Sequence, residues 1–144
     1  MPNGSHSVEI AVPLQTVWTF IKDANNWEPL VPGYIEHEIL NNQESTWTFK
    51  GDLGFTKKVI KLQIVMKEPV EPTKVSFDLT GISDAVEGEG YFEAEAISNH
   101  STKLTGYLEI SGKGFMAMMM NSVMKDFVPK MVKELTDAVS EKLK

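Results

Sequence analysis

Apolar and polar residues alternate along most of this chain, and the period of two gives way in only two stretches. Val8, Ile10 and Val12 alternate with polar or small neighbours, which predicts a half-buried first strand. Pro13 then suits the first turn of a helix, where a missing N–H costs nothing, and Val17, Phe20 and Ile21 recur behind it at helical spacing. Asp23 to Asn26 breaks that helix. Trp27-Glu28-Pro29-Leu30-Val31 reads as a second short helix, closed sharply by Pro32-Gly33. The alternation then resumes. Ile35, His37 and Ile39 share one parity, and Asn41-Asn42-Gln43 makes a polar turn. Trp47 and Phe49 oppose Thr46, Thr48 and Lys50; past a glycine loop, Ile60, Leu62, Ile64 and Met66 oppose Lys61 and Gln63. Pro69 and Pro72 close that strand. Val75, Phe77 and Leu79 define the next, and Gly88, Gly90, Phe92 and Ala94 face away from Glu87, Glu89, Glu93 and Glu95. Leu104, Leu108 and Ile110 complete the series against Lys103, Thr105 and Glu109.

Such alternation means that each strand has one wet face and one covered face. Short turns between consecutive strands imply an antiparallel meander of about seven strands. The last thirty or so residues must supply the cover. From Phe115 to Lys144 the one breaker is Pro129, and Met116, Met120, Val123, Phe127, Met131, Leu135 and Ala138 fall on one helical stripe. Pro129 predicts a kink near Lys125 to Phe127. The expected fold is α+β in a single domain over 1–144. An antiparallel sheet wraps a long C-terminal helix, and two short helices lie between strands 1 and 2.

Composition narrows the function. The chain has 144 residues, a length that buries roughly 70% of its unfolded surface. It contains no cysteine, which excludes disulfides, thiolate nucleophiles and Cys-ligated zinc. Its net charge is −6, and every basic residue is lysine. A nucleic-acid binder would show a basic stripe and arginine forks, so no nucleic acid is expected as partner. No segment approaches the ~20 apolar residues of a transmembrane helix. Met1 to Ser7 is polar and lacks the pattern of a signal peptide, so a cytoplasmic protein is the expectation.

The order of elements resembles that of the START-like, or SRPBCC, helix-grip superfamily, and within it the group of small accessory proteins of carbon monoxide dehydrogenase. The most specific stretch is Val12-Pro13-Leu14-Gln15-Thr16-Val17-Trp18-Thr19-Phe20-Ile21-Lys22-Asp23, followed by Trp27 and Val31-Pro32-Gly33. The resemblance covers essentially the whole chain, and it is the order of these features, not one motif, that carries it. It implies a deep apolar cavity between the concave sheet and the long helix. Relatives include lipid carriers, polyketide cyclases and aromatases, hormone receptors and accessory factors of redox enzymes. For the carbon monoxide dehydrogenase group it implies action at the membrane beside a molybdenum hydroxylase, with quinone as the handled molecule. Some members of that group carry a C-terminal extension suited to anchoring, whereas this sequence ends at Lys144, so that route of membrane recruitment is not expected here.

Six methionines, Met116, Met118, Met119, Met120, Met124 and Met131, crowd the terminal helix. Methionine is flexible and polarisable, which suits a wall that adapts to an irregular ligand; ordinary core packing is the competing explanation. Met118 and Met119 cannot both face where Met116 and Met120 do. Some methionine near Gly114 should therefore be exposed, beside the cavity mouth or against a partner. His37, in parity with Ile35 and Ile39, is expected to face inward, either as a ligand contact or general base or as a core histidine held by one hydrogen bond. His6 and His100 fall in a flexible start and a turn. The glutamates at 87, 89, 93 and 95 lie on an outer, solvated face, and no metal site or cofactor is called for.

The expected cavity is lined by Trp47, Phe49, Leu62, Ile64, Phe77, Leu79 and Phe92 from the sheet and by Met116, Met120 and Phe127 from the helix. His37 is its polar contact. The function read from this is binding of a hydrophobic small molecule such as a lipid, quinone or polyketide. A cyclase or dehydrase using the same cavity, with His37 as acid or base, is the second reading. A partner-binding subunit of a redox enzyme, docking through the exposed methionines, is the third. Peripheral membrane contact and a protein partner both stay open at this point, as does the oligomeric state.

Overall fold

A computed structural model describes residues 2–144. Seven strands form one antiparallel sheet: β1 (Asn3–Ile10), β2 (Tyr34–Ile39), β3 (Glu44–Asp52), β4 (Lys57–Met66), β5 (Lys74–Gly81), β6 (Val86–Ser98) and β7 (Ser101–Gly112). Their spatial order is β1-β7-β6-β5-β4-β3-β2. The chain therefore meanders from β2 to β7, and β1 closes beside β7. Three helices complete it: α1 (Leu14–Ile21) and α2 (Ala24–Trp27) between β1 and β2, and α3 (Ala117–Leu143) at the end. This is the helix-grip arrangement, with α3 lying against β1 and β7.

Register explains how one face comes to be apolar. Trp47 sits opposite Leu62, Phe49 opposite Ile60, and Ile64 opposite Leu79. Partners in register share a face, so the inward parity runs unbroken across these strands. Farther along the sheet, rings oppose glycines: Phe77 faces Gly90 and Phe92 faces Gly106. A Cβ at Gly90 would lie 2.8 Å from the Phe77 ring, and one at Gly106 would collide with Thr136 Oγ1 of α3. The absent side chains thus admit the rings and the helix.

The connection between β1 and β2 starts as the pattern predicts, with Pro13 just before α1. The second helical segment begins earlier than expected, at Ala24. The Asp23 carboxylate accepts a hydrogen bond from the Asn25 N–H at 3.0 Å and caps α2, so the polar run that reads as a break is itself a helix start. A 3-10 turn over Glu28–Leu30 follows directly.

Two other expectations are corrected. His6 lies not in a flexible start but within β1, where its Nε2 meets Asp137 Oδ1 of α3 at 2.8 Å. Backbone pairing with β7, which side-chain polarity does not reveal, carries β1 back to Asn3. In α3 the fully buried residues are Met124, Val128, Met131, Val132, Leu135, Thr136, Val139 and Ser140. The predicted stripe agrees at Met131 and Leu135, but in the first half of the helix it is rotated. Met120 and Phe127 are only half-buried there, and Met116 is exposed. Pro129 stands inside the continuous helix. β1 crosses closely at that point, since a Cβ at Gly4 would lie 2.6 Å from Pro129 Cα.

Candidate functional site

The two ends of the concave face are built differently. At one end Trp27, delivered by α2, enters the sheet. Its ring stacks on Phe77 with centroids 5.0 Å apart and meets Phe92 and Trp47 edge-on at 5.3 and 5.6 Å. Its indole N–H donates to the Ile21 carbonyl at 3.0 Å, and the Trp47 N–H donates to the Glu28 carbonyl at 2.8 Å. Both buried indoles are therefore satisfied. Trp47, Leu62, Ile64, Phe77, Leu79 and Phe92, expected to line a cavity, are all fully buried in this packed cluster or directly beside it. Trp27 occupies the space that those rings would otherwise enclose.

At the other end a cavity of about 570 Å³ remains. Its walls come from the first turns of α3 (Met116, Met119, Met120, Val123 and Met124), from Ile60 of β4, and from Val86 at the start of β6. The β3–β4 turn adds Leu53, Phe55 and Thr56 at its mouth, and the β5–β6 loop adds Ser83, Asp84 and Ala85. The size falls within the range that encloses a small organic molecule. Lys58 and Asp84 are the titratable residues of this lining, and they pair with each other at 3.3 Å. What remains is an apolar surface whose main component can change rotamer at little cost.

Of the residues expected from sequence, Met116 and Met120 line this cavity. Phe49 and Phe127 line a neighbouring groove of about 270 Å³ instead, their rings 6.5 Å apart and nearly parallel. Ile60 and the Phe127 ring stand between the two spaces: a Cβ built on Gly51 would touch both, at 2.8 and 3.1 Å. His37 lines neither space. It pairs in register with Trp47, so its parity is inward, but β2 is an edge strand and the ring remains half-open beside α2. Its Nε2–H donates to Asn25 Oδ1 and its Nδ1 accepts from the Tyr34 hydroxyl, both at 2.7 Å. Both nitrogens are thus engaged in fastening α2 to the sheet edge.

Glu28 is a residue that sequence patterning does not single out. Its carboxyl is fully buried, with Oε1 accepting from the Ser45 hydroxyl at 2.6 Å. Among the described residues nothing hydrogen-bonds its Oε2. Burial pushes its pKa up to about 7; the Ser45 hydrogen bond opposes the shift and the Asp23 charge adds to it. A glutamate in a short helix beside a proline ordinarily faces water, so no local signal marks it. The cavity residues Ile60, Val86 and Phe55 escape sequence reasoning for another reason, since they reach one place only through the arrangement of three loops. Among the described residues no group of three or more His, Asp or Glu side chains could hold a metal ion.

A sheet gripping a terminal helix over an apolar end cavity is the architecture of one superfamily, and a family model matches residues 1–144. The chain belongs to the START-like (SRPBCC) superfamily. This START-like chain superposes on a START superfamily protein from Mycobacterium smegmatis at a TM-score of 0.71, with 17% identity over 98% of this chain and 96% of the other. A conserved protein from Geobacillus kaustophilus gives 0.75, with 15% identity over 98% and 94%. An aromatase/cyclase from a Streptomyces species gives 0.58, with 17% identity over 98% and 85%. At these identities the likeness is one of fold. No curated protein matches the sequence.

Proposed function

We propose that this START-like chain binds a hydrophobic small molecule, of lipid, quinone or polyketide type, in the methionine-walled cavity at the start of α3. The observation that carries the reading is a cavity of about 570 Å³ with Met116, Met119, Met120 and Met124 on one wall and Ile60 and Val86 on the other. An apolar molecule entering it would leave water for a surface that adapts to its shape. The cyclase reading draws on the aromatase/cyclase fold likeness. Binding is preferred because Lys58 and Asp84 of the lining are already paired, and His37 lies on the edge strand fastening α2.

The test is mass spectrometry of protein purified under native conditions, followed by organic extraction, on wild type and on Val123→Trp. Val123 is half-buried in the cavity wall, so an indole there fills the space. Wild type should carry, or take up from added N-phenylnaphthylamine, one apolar molecule per chain, and the variant at least tenfold less. Equal loading of the two proteins would contradict this site.

A further inference from the structure

The same end of the molecule exposes an unusual set of large apolar side chains. Phe115 is completely exposed, Met118 is 87% exposed and Phe55 78%. Met116, Met119 and Ile82 are also exposed. They sit on three separate connections: Phe55 in the turn between β3 and β4, Ile82 between β5 and β6, and the others in the 3-10 turn Gly114–Met116 and the first turn of α3. Phe55, Met116 and Met119 also wall the cavity, so this apolar rim surrounds its mouth. Gly54 and Gly114 support the two protruding turns with φ of +91° and +68°, and a Cβ on either would meet nothing within 4 Å. Isolated exposed apolar residues need no explanation, but a ring of them around one opening does.

Charge is also unevenly distributed. The segments 50–60, 82–87 and 113–125 carry five lysines (Lys50, Lys57, Lys58, Lys113 and Lys125) against three acids (Asp52, Asp84 and Glu87). This end is therefore +2 on a chain whose net charge is −6. No acid lies between Lys113 and Lys125, the segment that holds Phe115 and Met118. Lys57 and Lys58 follow Phe55 closely, and Lys113 precedes Phe115 by two positions. Aromatic and thioether tips ahead of long lysine stems suit the boundary between acyl chains and phosphates, where the tips enter and the ammonium groups reach back to the anions.

We propose that this rim docks on an anionic lipid bilayer, with the cavity mouth against the membrane. No helix among the described residues is long and apolar enough to cross a membrane, so the contact is peripheral. A second copy of the chain seated on the rim would seal the mouth. A bilayer leaves it open to the acyl phase, so an apolar molecule passes between membrane and cavity without crossing water. The docking needs no ligand in the cavity and stands apart from the binding reading.

Flotation of the full chain with vesicles tests it, comparing phosphatidylcholine alone with phosphatidylcholine containing phosphatidylglycerol. The wild-type chain should float with the anionic vesicles and lose most of that binding at high salt. Phe55→Ser and Phe115→Ser, both at exposed positions, should each reduce it about tenfold with unchanged circular dichroism. Val123→Trp, which fills the cavity, should still float; loss of ligand with retained flotation would separate the two readings. No flotation with anionic vesicles, or flotation unaffected by both serine substitutions, would overturn the proposal. A dimer in sedimentation that Phe115→Ser dissociates, without vesicle binding, would assign the rim to a second copy instead.

Discussion

The aromatic end and the methionine end of the concave face share the same sheet and the same helix, yet one is solid and the other hollow. The difference lies in what the connections bring. Between β1 and β2 the chain inserts α1 and α2, and Trp27 from α2 interlocks with Trp47, Phe77 and Phe92. At the opposite end the β3–β4 and β5–β6 connections bring no comparable ring inward, and the Phe55 ring projects outward. Rigid rings locked edge to face specify one packing, whereas methionines with three rotatable bonds tolerate several. The molecule thus places its stability at one end and its adaptability at the other.

That contrast can be broken most severely at Trp27. Trp27→Ala removes the ring at the centre of the aromatic cluster and should cost about 3–5 kcal/mol in urea unfolding. A cost below about 1 kcal/mol would mean that the cluster does not hold the fold.

Next in size is the buried acid behind Trp47. With its carboxyl at about 7 in the folded chain, against an ordinary 4.5, Glu28 binds more proton when folded than when unfolded across that window. Stability should therefore be highest below pH 4.5 with respect to this group, fall as the pH rises to 7, and level off above. The span is at most about 3 kcal/mol. Glu28→Gln stays neutral and keeps an acceptor for Ser45, so its pH profile should lack this descent and it should exceed wild type at about pH 8, above the folded-state pKa. Superimposable profiles for the two proteins would contradict a buried, proton-holding Glu28.

At the methionine end the effects on stability shrink while those on binding grow. Met124→Ala should cost about 2 kcal/mol, at the low end for a buried methionine because its neighbours are flexible, and should change the uptake of N-phenylnaphthylamine. Phe115→Ser should leave stability within about 0.5 kcal/mol, since the ring touches nothing buried. A larger loss in thermal unfolding would show that Phe115 packs on the body of the protein.

Much of the fold is legible because alternation is a local signal. Phe77 and Leu79, or Glu87 and Glu89, declare their faces without reference to any other strand. The helix stripe is legible where packing is dense, at Met131 and Leu135, and misleading where α3 borders the cavity, because there apolar residues need not be buried. The site is less legible. Trp27 reads as part of a short helix, and nothing local shows that its ring would reach Phe77. Met116 and Met120 read as cavity wall from composition, while Ile60, Val86 and Phe55 join them only through tertiary placement. His37 has the inward parity but the wrong neighbourhood, since parity does not say which strand is the edge.

The central claim, that an apolar ligand occupies the methionine end and leaves the aromatic end closed, is tested most directly by titrating N-phenylnaphthylamine into protein with isotope-labelled methionine methyl groups. The resonances of Met116, Met119, Met120 and Met124 should move together and saturate, while Met66 and Met131 stay in place. Movement confined to Met66 or Met131, or saturable quenching of Trp27 and Trp47 with the four cavity methionines unmoved, would place the ligand elsewhere and contradict the account.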